Sequence, residues 1–422
     1  MSSATTEKKK SSLLRQPLAV WAIAFASTVS FMGIGLVDPI LPTISRELGA
    51  TAAQTMLLFT SYLLVTAFVM FFAGAIASRL GTKKTLLLGL GLIVVFAALC
   101  GFSGSVDLML LFRGGWGFGN ALFISTALAA IVGSASGGSA TAIMLYEAAL
   151  GVGLAVGPLV GGALGSLHWS APFFGTAVLM AIGFIAIITL LGKGAADQHK
   201  EKVSWLAGFT ALRNPALRSL ALTALFYNFG FFILLAYSPY PVEAAAKAQG
   251  LEFGPQQLGL VFFGWGLAVA ISSVLIAPRL TRAFGLRKVL YGCFTALVVL
   301  FIVFCFEVHS LAGMVTLIVI SGLVLGILNT ALTEAVMDAT DLPRQVASST
   351  YSGMRFLGGA IAPAVAGPVA AATTVWAPYA MAAVSLVIAI VMLTVGARHL
   401  THLEQPHTTA EDEALAITLG DD

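Results

Sequence analysis

Four ionisable side chains interrupt long apolar stretches of this chain: Asp38, Arg113, Glu147 and Arg355. A charge held at membrane depth costs several kcal/mol and marks a pathway or a pair. Asp38 falls about five residues from the outer end of the first apolar segment and Arg113 about six from that of the fourth. At roughly 1.5 Å of helix rise per residue, both lie about 8–9 Å below one surface and can meet across a shared cavity. A structural ion pair is one outcome of that meeting, a functional pair the other. Glu147 and Arg355 form a deeper level, where one can bind a ligand or proton while the other supplies counter-charge. Glu334, Asp338 and Asp341 fall at a segment end, solvated or bonded to nearby cations.

Helices must position these charges. Hydrophobic residues fill 58% of 422 positions and charged residues only 10%, with mean hydropathy +0.95, which excludes a water-soluble fold. A spanning helix needs about 20 apolar residues, and the long unbroken runs do not alternate as barrel strands do. The expected fold is an all-α polytopic membrane protein of twelve transmembrane helices, near 18–43, 52–77, 85–104, 107–132, 138–165, 171–191, 217–241, 255–277, 287–306, 310–334, 345–370 and 376–396. The first apolar stretch is too long for a signal peptide and reads as a retained helix.

Cations test the count. Lys8, Lys9, Lys10, Arg15, Arg79, Lys83, Lys84, Lys193, Lys200, Lys202, Arg213, Arg218, Arg279, Arg282, Arg287, Lys288, Arg344 and Arg398 all fall on one side, against Arg46 and Lys247 on the other. The positive-inside rule then makes both termini cytoplasmic. The chain divides into a tail (1–17), a six-helix half (18–191), a cytoplasmic loop (192–216), a second six-helix half (217–396) and a polar acidic tail (397–422).

The halves repeat. Gly81, Lys83 and Lys84 are echoed by Gly285, Arg287 and Lys288, and Tyr146 with Gly157 and Pro158 by Tyr351 with Ala362 and Pro363, offsets of 204 and 205. Two such repeats imply pseudo-symmetric domains around a central site exposed alternately to each side. Within the repeated loop, Gly74, Arg79, Gly81, Lys83 and Lys84 give a tight turn whose cations suit neighbouring helix C-termini, beyond their topogenic role. In helix 5, Gly153, Gly157, Gly161 and Gly162 permit close helix approach and Pro158 permits a bend, so this helix is expected at a rocking interface.

These residues resemble the major facilitator superfamily over nearly the whole chain, and within it the twelve-helix drug:proton antiporters. Gly74 to Lys84 is similar to the superfamily's motif A, Asp38-Pro39-Ile40-Leu41-Pro42 to the antiporters' helix 1 motif, Arg113 with Gly117 and Gly119 to motif B, and Gly153, Gly157-Pro158 and Gly161-Gly162 to motif C. Ser78 stands where motif A usually has an acid, and Trp116 where motif B often has Gln. The resemblance implies that Asp38 binds a coupling proton, with Arg113 tuning it and Glu147 next in line.

Tyr62, Trp116, Asn120, Tyr227, Asn228, Trp265, Asn329 and Arg355 are the expected cavity lining. The expected activity is secondary active export of small amphipathic or hydrophobic compounds by proton antiport, from a bacterial inner or plasma membrane. A specific metabolite exporter, for a sugar or amino acid, is the alternative within transport, and a non-transporting membrane sensor the alternative outside it. The expected partners are a small-molecule substrate, protons and the lipid bilayer, with the chain working as a monomer. A net charge of +3 gives no basis for nucleic-acid binding, and Cys100, Cys293 and Cys305 sit in apolar runs without a disulfide or metal pattern. No phosphate-binding loop, redox centre or catalytic triad is present, so neither an enzyme nor a cofactor is expected. Cysteines introduced at Lys200 and Lys247, in a background lacking the native thiols, should differ in accessibility to an impermeant thiol reagent; equal labelling from outside would contradict the twelve-helix map.

Overall fold

The computed structural model describes residues 16–135, 139–192, 203–340, 342 and 344–400. Lys8, Lys9, Lys10, Arg15, Lys193, Lys200, Lys202, Asp341 and the tail from 401 lie outside the described residues, as do the side chains of Glu147 and Arg344.

Among the described residues, eleven helices are long and apolar enough to cross a membrane: α1 (Leu18–Glu47), α2 (Ala52–Leu80), α3 (Thr82–Gly101), α5 (Ala148–Gly165 within Ser139–Gly165), α6 (Ala171–Leu190), α7 (Pro215–Ala248), α8 (Pro255–Phe284), α9 (Leu286–Glu307), α10 (Leu311–Asp338), α11 (Val346–Ala372 within Arg344–Ala372) and α12 (Ala377–His399). The 29-residue α4 (Val106–Ser134), which carries Asp107 and Arg113, completes twelve. A bilayer offers no partner for backbone N–H and C=O groups, so each segment satisfies its own as a helix. Starts and stops follow local chemistry. Thr51 and Gln54 form a capping box at α2, with Gln54 N–H donating to Thr51 Oγ1 at 3.2 Å and Thr51 N–H to Gln54 Oε1 at 2.8 Å. Gly81 and Gly285 end α2 and α8 with φ of 84° and 81°, a region where a side chain is strained. The two turns are equivalent, which explains why both repeats keep Gly there.

The first spanning segment is not one smooth helix. It is helical over Leu18–Gly35, tightens to a 3-10 turn at Asp38–Ile40 and resumes over Leu41–Glu47. Pro39 and Pro42 have no N–H to donate to the preceding turn, and the break leaves Asp38 fully buried. The seventh segment breaks likewise at Ser238 before Pro239 and Pro241.

Packing repeats with the sequence. In the first half α1 lies on α4, α5 and α6, α2 on α4, and α3 on α4 and α6; in the second α7 lies on α11 and α12, α8 on α10, and α9 on α10 and α12. The halves meet along α2 with α11 and α5 with α8. Helices α1 and α7 are central, with 83% and 72% of their apolar windows buried, against 33% for α6 and 39% for α12. The outer helices show large apolar side chains such as Val178, Ile182, Ile185, Ile302, Val384 and Val387, the surface a lipid belt covers.

The seam is closed at the face opposite the cation-rich turns. There Arg46 of α1 pairs with Glu243 of α7, and Thr55 of α2 hydrogen-bonds Tyr240 of α7. Thr60 Oγ1 donates across the seam to the Ala360 carbonyl of α11 at 2.8 Å.

The glycines of α5 divide between two partners, and this corrects the expectation that all of them line the moving seam. A Cβ at Gly153 would meet the Thr28 carbonyl oxygen at 2.5 Å, one at Gly157 the Met32 carbonyl oxygen at 2.7 Å, and one at Gly161 the Leu36 carbonyl oxygen, all on α1 of the same half. Gly162 instead faces Pro255 and Gly259 of α8, and Pro158 meets Gly259. Glycines 205 positions on repeat the division: Gly358 faces Leu225 of α7, and Gly367 faces Ala53 and Met56 of α2. Four residues per turn puts 153, 157 and 161 on one stripe and 162 on the next. Gly74 has nothing within 4 Å and makes no close approach. Leu at Gly161 should therefore overpack one half, costing about 1–3 kcal/mol and lowering the Tm of purified protein. Leu at Gly162 should wedge the seam and make a cysteine at Thr43 more reactive toward thiol reagents; unchanged reactivity there would show that Gly162 does not hold the halves together.

Candidate functional site

Arg113 sits on α4 with no exposed surface. Its Nε donates to the Leu58 carbonyl at 3.4 Å, and its guanidinium carbon lies 4.4 Å from the Tyr62 ring centre and 4.6 Å from that of Trp116. The two rings stand edge to face at 6.0 Å and 82°. A cation between two aromatic faces gains about 2 kcal/mol or more where water is excluded. Trp116, in the place where Gln is frequent, thus supplies one wall of the guanidinium's slot.

The expected direct pairing of Asp38 with Arg113 is not what the structure shows. Both Asp38 oxygens and both Arg113 Nη atoms are buried without a hydrogen bond, and the ion pair found among the described residues is Arg46 with Glu243. The guanidinium is engaged elsewhere: the rings of Tyr62 and Trp116 flank it and its Nε reaches the Leu58 carbonyl of α2, while the turn carrying Asp38 packs on α5. Gly35, one turn earlier, brings α1 against the Pro158 ring, 3.1 Å from its would-be Cβ, with Asp38 Oδ2 at 3.6 Å. The turn carrying Asp38 also packs on α8 of the other half.

A cavity of about 110 Å3 lies between the halves. Its walls run from Phe31, Ile34, Phe231 and Phe232 at mid-helix to Thr333, Val336, Met337 and Ser348 near the cation-rich ends of α10 and α11. Of the expected lining, Arg355 alone is there. Tyr62 and Trp116 hold Arg113; Asn120 Oδ1 accepts from Ser30 Oγ at 2.5 Å; Tyr227 OH donates to Asn329 Oδ1 at 2.7 Å; and Trp265 stands edge-on to Phe231 at 5.6 Å. Asn228 lies behind Arg355, its Nδ2 donating to the Arg355 carbonyl at 2.8 Å and its Oδ1 accepting from Arg355 Nε at 3.2 Å. Polar and aromatic side chains fell behind the wall because their own hydrogen bonds and ring contacts are made inside each half. Phe31, Phe231, Phe232 and Tyr146 took the lining positions. Tyr146 and Tyr351 were visible in the sequence as a repeated pair; the phenylalanines carried no distinguishing signal. Glu147 belongs to α5, with its side chain outside those described.

The Gly and cation loop has a specific structural use. Lys83 Nζ donates to the Ile188 carbonyl at 3.2 Å and to that of Leu191, capping α6. Arg79 Nη1 donates to Ala75 O at 2.8 Å and to Val203 O at 3.0 Å, and its guanidinium lies 4.4 Å from the Trp205 ring centre. Ser78 Oγ accepts from Val203 N–H at 3.3 Å. A carboxylate accepts only; the hydroxyl also donates, here to Ala75 O at 3.0 Å. Both backbone groups of Val203 are therefore held by adjacent residues of α2. The short helix Ala207–Ala211 that follows packs on α2 and α11, Phe209 stacking on Phe71 at 4.6 Å and Thr350 Oγ1 donating to Gly208 O at 3.1 Å. Lys84 is exposed. Trp205→Ala should loosen this segment, and a cysteine at Ser204 should label several-fold faster in that variant; an unchanged rate would show that the backbone clamp on Val203 suffices.

A profile of the Major Facilitator Superfamily matches residues 23–247 and 240–418. The Multidrug efflux protein YfmO of Bacillus subtilis (strain 168) is 48% identical over 407 residues, 96% of this chain and 100% of that protein. The Quinolone resistance protein NorA of Staphylococcus aureus is 24% identical over 63% of this chain and 68% of its own. Among solved structures, the nucleoside transporter NupG superposes with a TM-score of 0.73 at 15% identity, over 89% of this chain and 99% of that one, a likeness of fold. The broken α1 with its buried Asp38, the glycine-lined α5 and the paired six-helix halves agree with these matches: the chain belongs to the Major Facilitator Superfamily of membrane transporters.

Proposed function

We propose that the protein exports small amphipathic or hydrophobic compounds by alternating access, each cycle coupled to protons moving inward. The observation that carries this reading is the position of Asp38: fully buried, on a turn that packs against α8 of the other half. Protonation removes the attraction to Arg113. Neutralising Asp38 therefore changes the energy of one arrangement of the seam relative to another, and a ligand shifts such an equilibrium only through a differential of this kind. The efflux function in the name of the 48% identical relative supports the direction and the substrate class.

The cation-rich face is assigned to the cytoplasm, with both termini on that side. The structure is then closed outside by Arg46 with Glu243 and Thr55 with Tyr240. Its cavity of about 110 Å3 is smaller than the roughly 300–1,000 Å3 of a drug-sized site, so the halves must separate for a substrate to enter. One chain contains both halves and the whole cavity, and it works as a monomer.

Asp38→Asn keeps the shape and removes the titrating group. In proteoliposomes with an imposed pH gradient, wild-type protein should move a fluorescent quinolone and release protons into weakly buffered solution when the compound is added. The variant should fold normally yet lose gradient-driven flux and proton release altogether. Undiminished release from Asp38→Asn would move the coupling site elsewhere, and absence of flux from the wild type with every amphipathic compound offered would refute the export reading.

A further inference from the structure

The cavity wall contributed by α11 follows one helical stripe: Ser348, Tyr351, Ser352, Arg355 and Phe356 all line it, at the three- and four-residue spacing that places side chains on a single face. Among the described residues lining the cavity, Arg355 is the one charged group. It makes no ion pair with a described residue. Its Nε is committed to Asn228 Oδ1, and Asn228 is in turn tied to the Arg355 carbonyl. This reciprocal pair holds the guanidinium at Nε on a residue that lines the cavity, and its two terminal nitrogens make no hydrogen bond to a described residue. The cavity lining also carries the aromatic rings of Phe31, Phe231 and Phe232.

From this arrangement we propose that the cavity selects amphipathic organic anions, with the carboxylate or an equivalent oxyanion held by the Arg355 terminal nitrogens and the apolar body lying on Phe31, Phe231 and Phe232. This names the substrate class of the export site and so rests on that reading of the protein. An intramembrane cation is costly unless paired; Arg355 has no counter-charge among the described residues, and an anionic head that supplies one offsets the cost. Bidentate carboxylate recognition requires a planar guanidinium in a fixed orientation, which is what Asn228 provides. The hydroxyls of Ser352 and Ser348, one and two turns from Arg355 toward the cation-rich face, give further donors along the cavity wall.

The test is a binding measurement, independent of flux, on full-length protein in nanodiscs with N-dansylglycine and its methyl ester, which differ only in the charged head. The wild type should bind the carboxylate about tenfold or more tightly than the ester, the scale of hydrogen bonds to a charged group. Arg355→Gln should bring the ratio of the two affinities to about one, Asn228→Ala should lower it, and Arg355→Lys, which keeps the charge without the fork, should retain part of it. Thermal unfolding of Arg355→Lys beside Arg355→Gln separates loss of fold from loss of the charge preference. Equal affinities in the wild type, or a preference that persists in Arg355→Gln, would overturn the proposal. Displacement of dansylglycine by chloride as readily as by benzoate would reveal a simple anion site and overturn the amphipathic part. Loss of preference in Arg355→Gln in a protein that moves no compound would leave this site standing while refuting export. Flux of neutral compounds without any charge preference would do the reverse.

Discussion

Helix-to-helix contact at backbone distance is what the rest of this structure depends on. Lipid tails are as apolar as the side chains, so the bilayer gives helices no hydrophobic reason to associate, and packing needs surfaces that approach closely. In α5 the stripe of Gly153, Gly157 and Gly161 fixes α1 against its own half, and the neighbouring Gly162 touches α8 of the other. In α11 Gly358 and Gly367 do the same for α7 and α2. One helix in each half thus serves both its own half and the seam, through adjacent residues in α5 (Gly161 and Gly162) and through Gly358 and Gly367 in α11.

That construction sets where charge can be used. Asp38 lies at the Pro39 break in α1, between the Pro158 region of α5 and α8 of the other half, so its charge state is felt where the halves touch. Arg113 does not neutralise it by contact, being held between Tyr62 and Trp116. A direct buried pair gains much of its energy at one short distance, and separating it is expensive. A charge held back by aromatic faces exerts a softer attraction that survives small displacements. Arg355, on the cavity wall, is fixed by a different device, the Asn228 amide.

The turn after α2 ties the segment between the halves to the seam. Where an acid is usual, Ser78 accepts from Val203 N–H while donating to its own helix, and Arg79 takes the Val203 carbonyl and the Trp205 ring. The connection between the halves is thereby attached to α2, and through Gly208 and Thr350 to α11. It bridges the two sides of one seam.

The sequence by itself determined the helical membrane fold, the repeat and the family, because apolar length, cation placement and repeated Gly and Pro are local properties that the bilayer reads segment by segment. It also singled out Asp38, Arg113 and Arg355, since an ionisable residue in an apolar run is conspicuous wherever its neighbours lie. Only the tertiary structure decided which stripe of α5 faces which helix, that Asp38 and Arg113 are both buried without pairing directly, and that Asn228 braces Arg355 while phenylalanines line the cavity. Those outcomes depend on helix rotation and on distances between residues far apart in the chain. A rotation of one residue's worth, about 100°, exchanges a wall position for an interior one while leaving hydrophobicity and spacing unchanged.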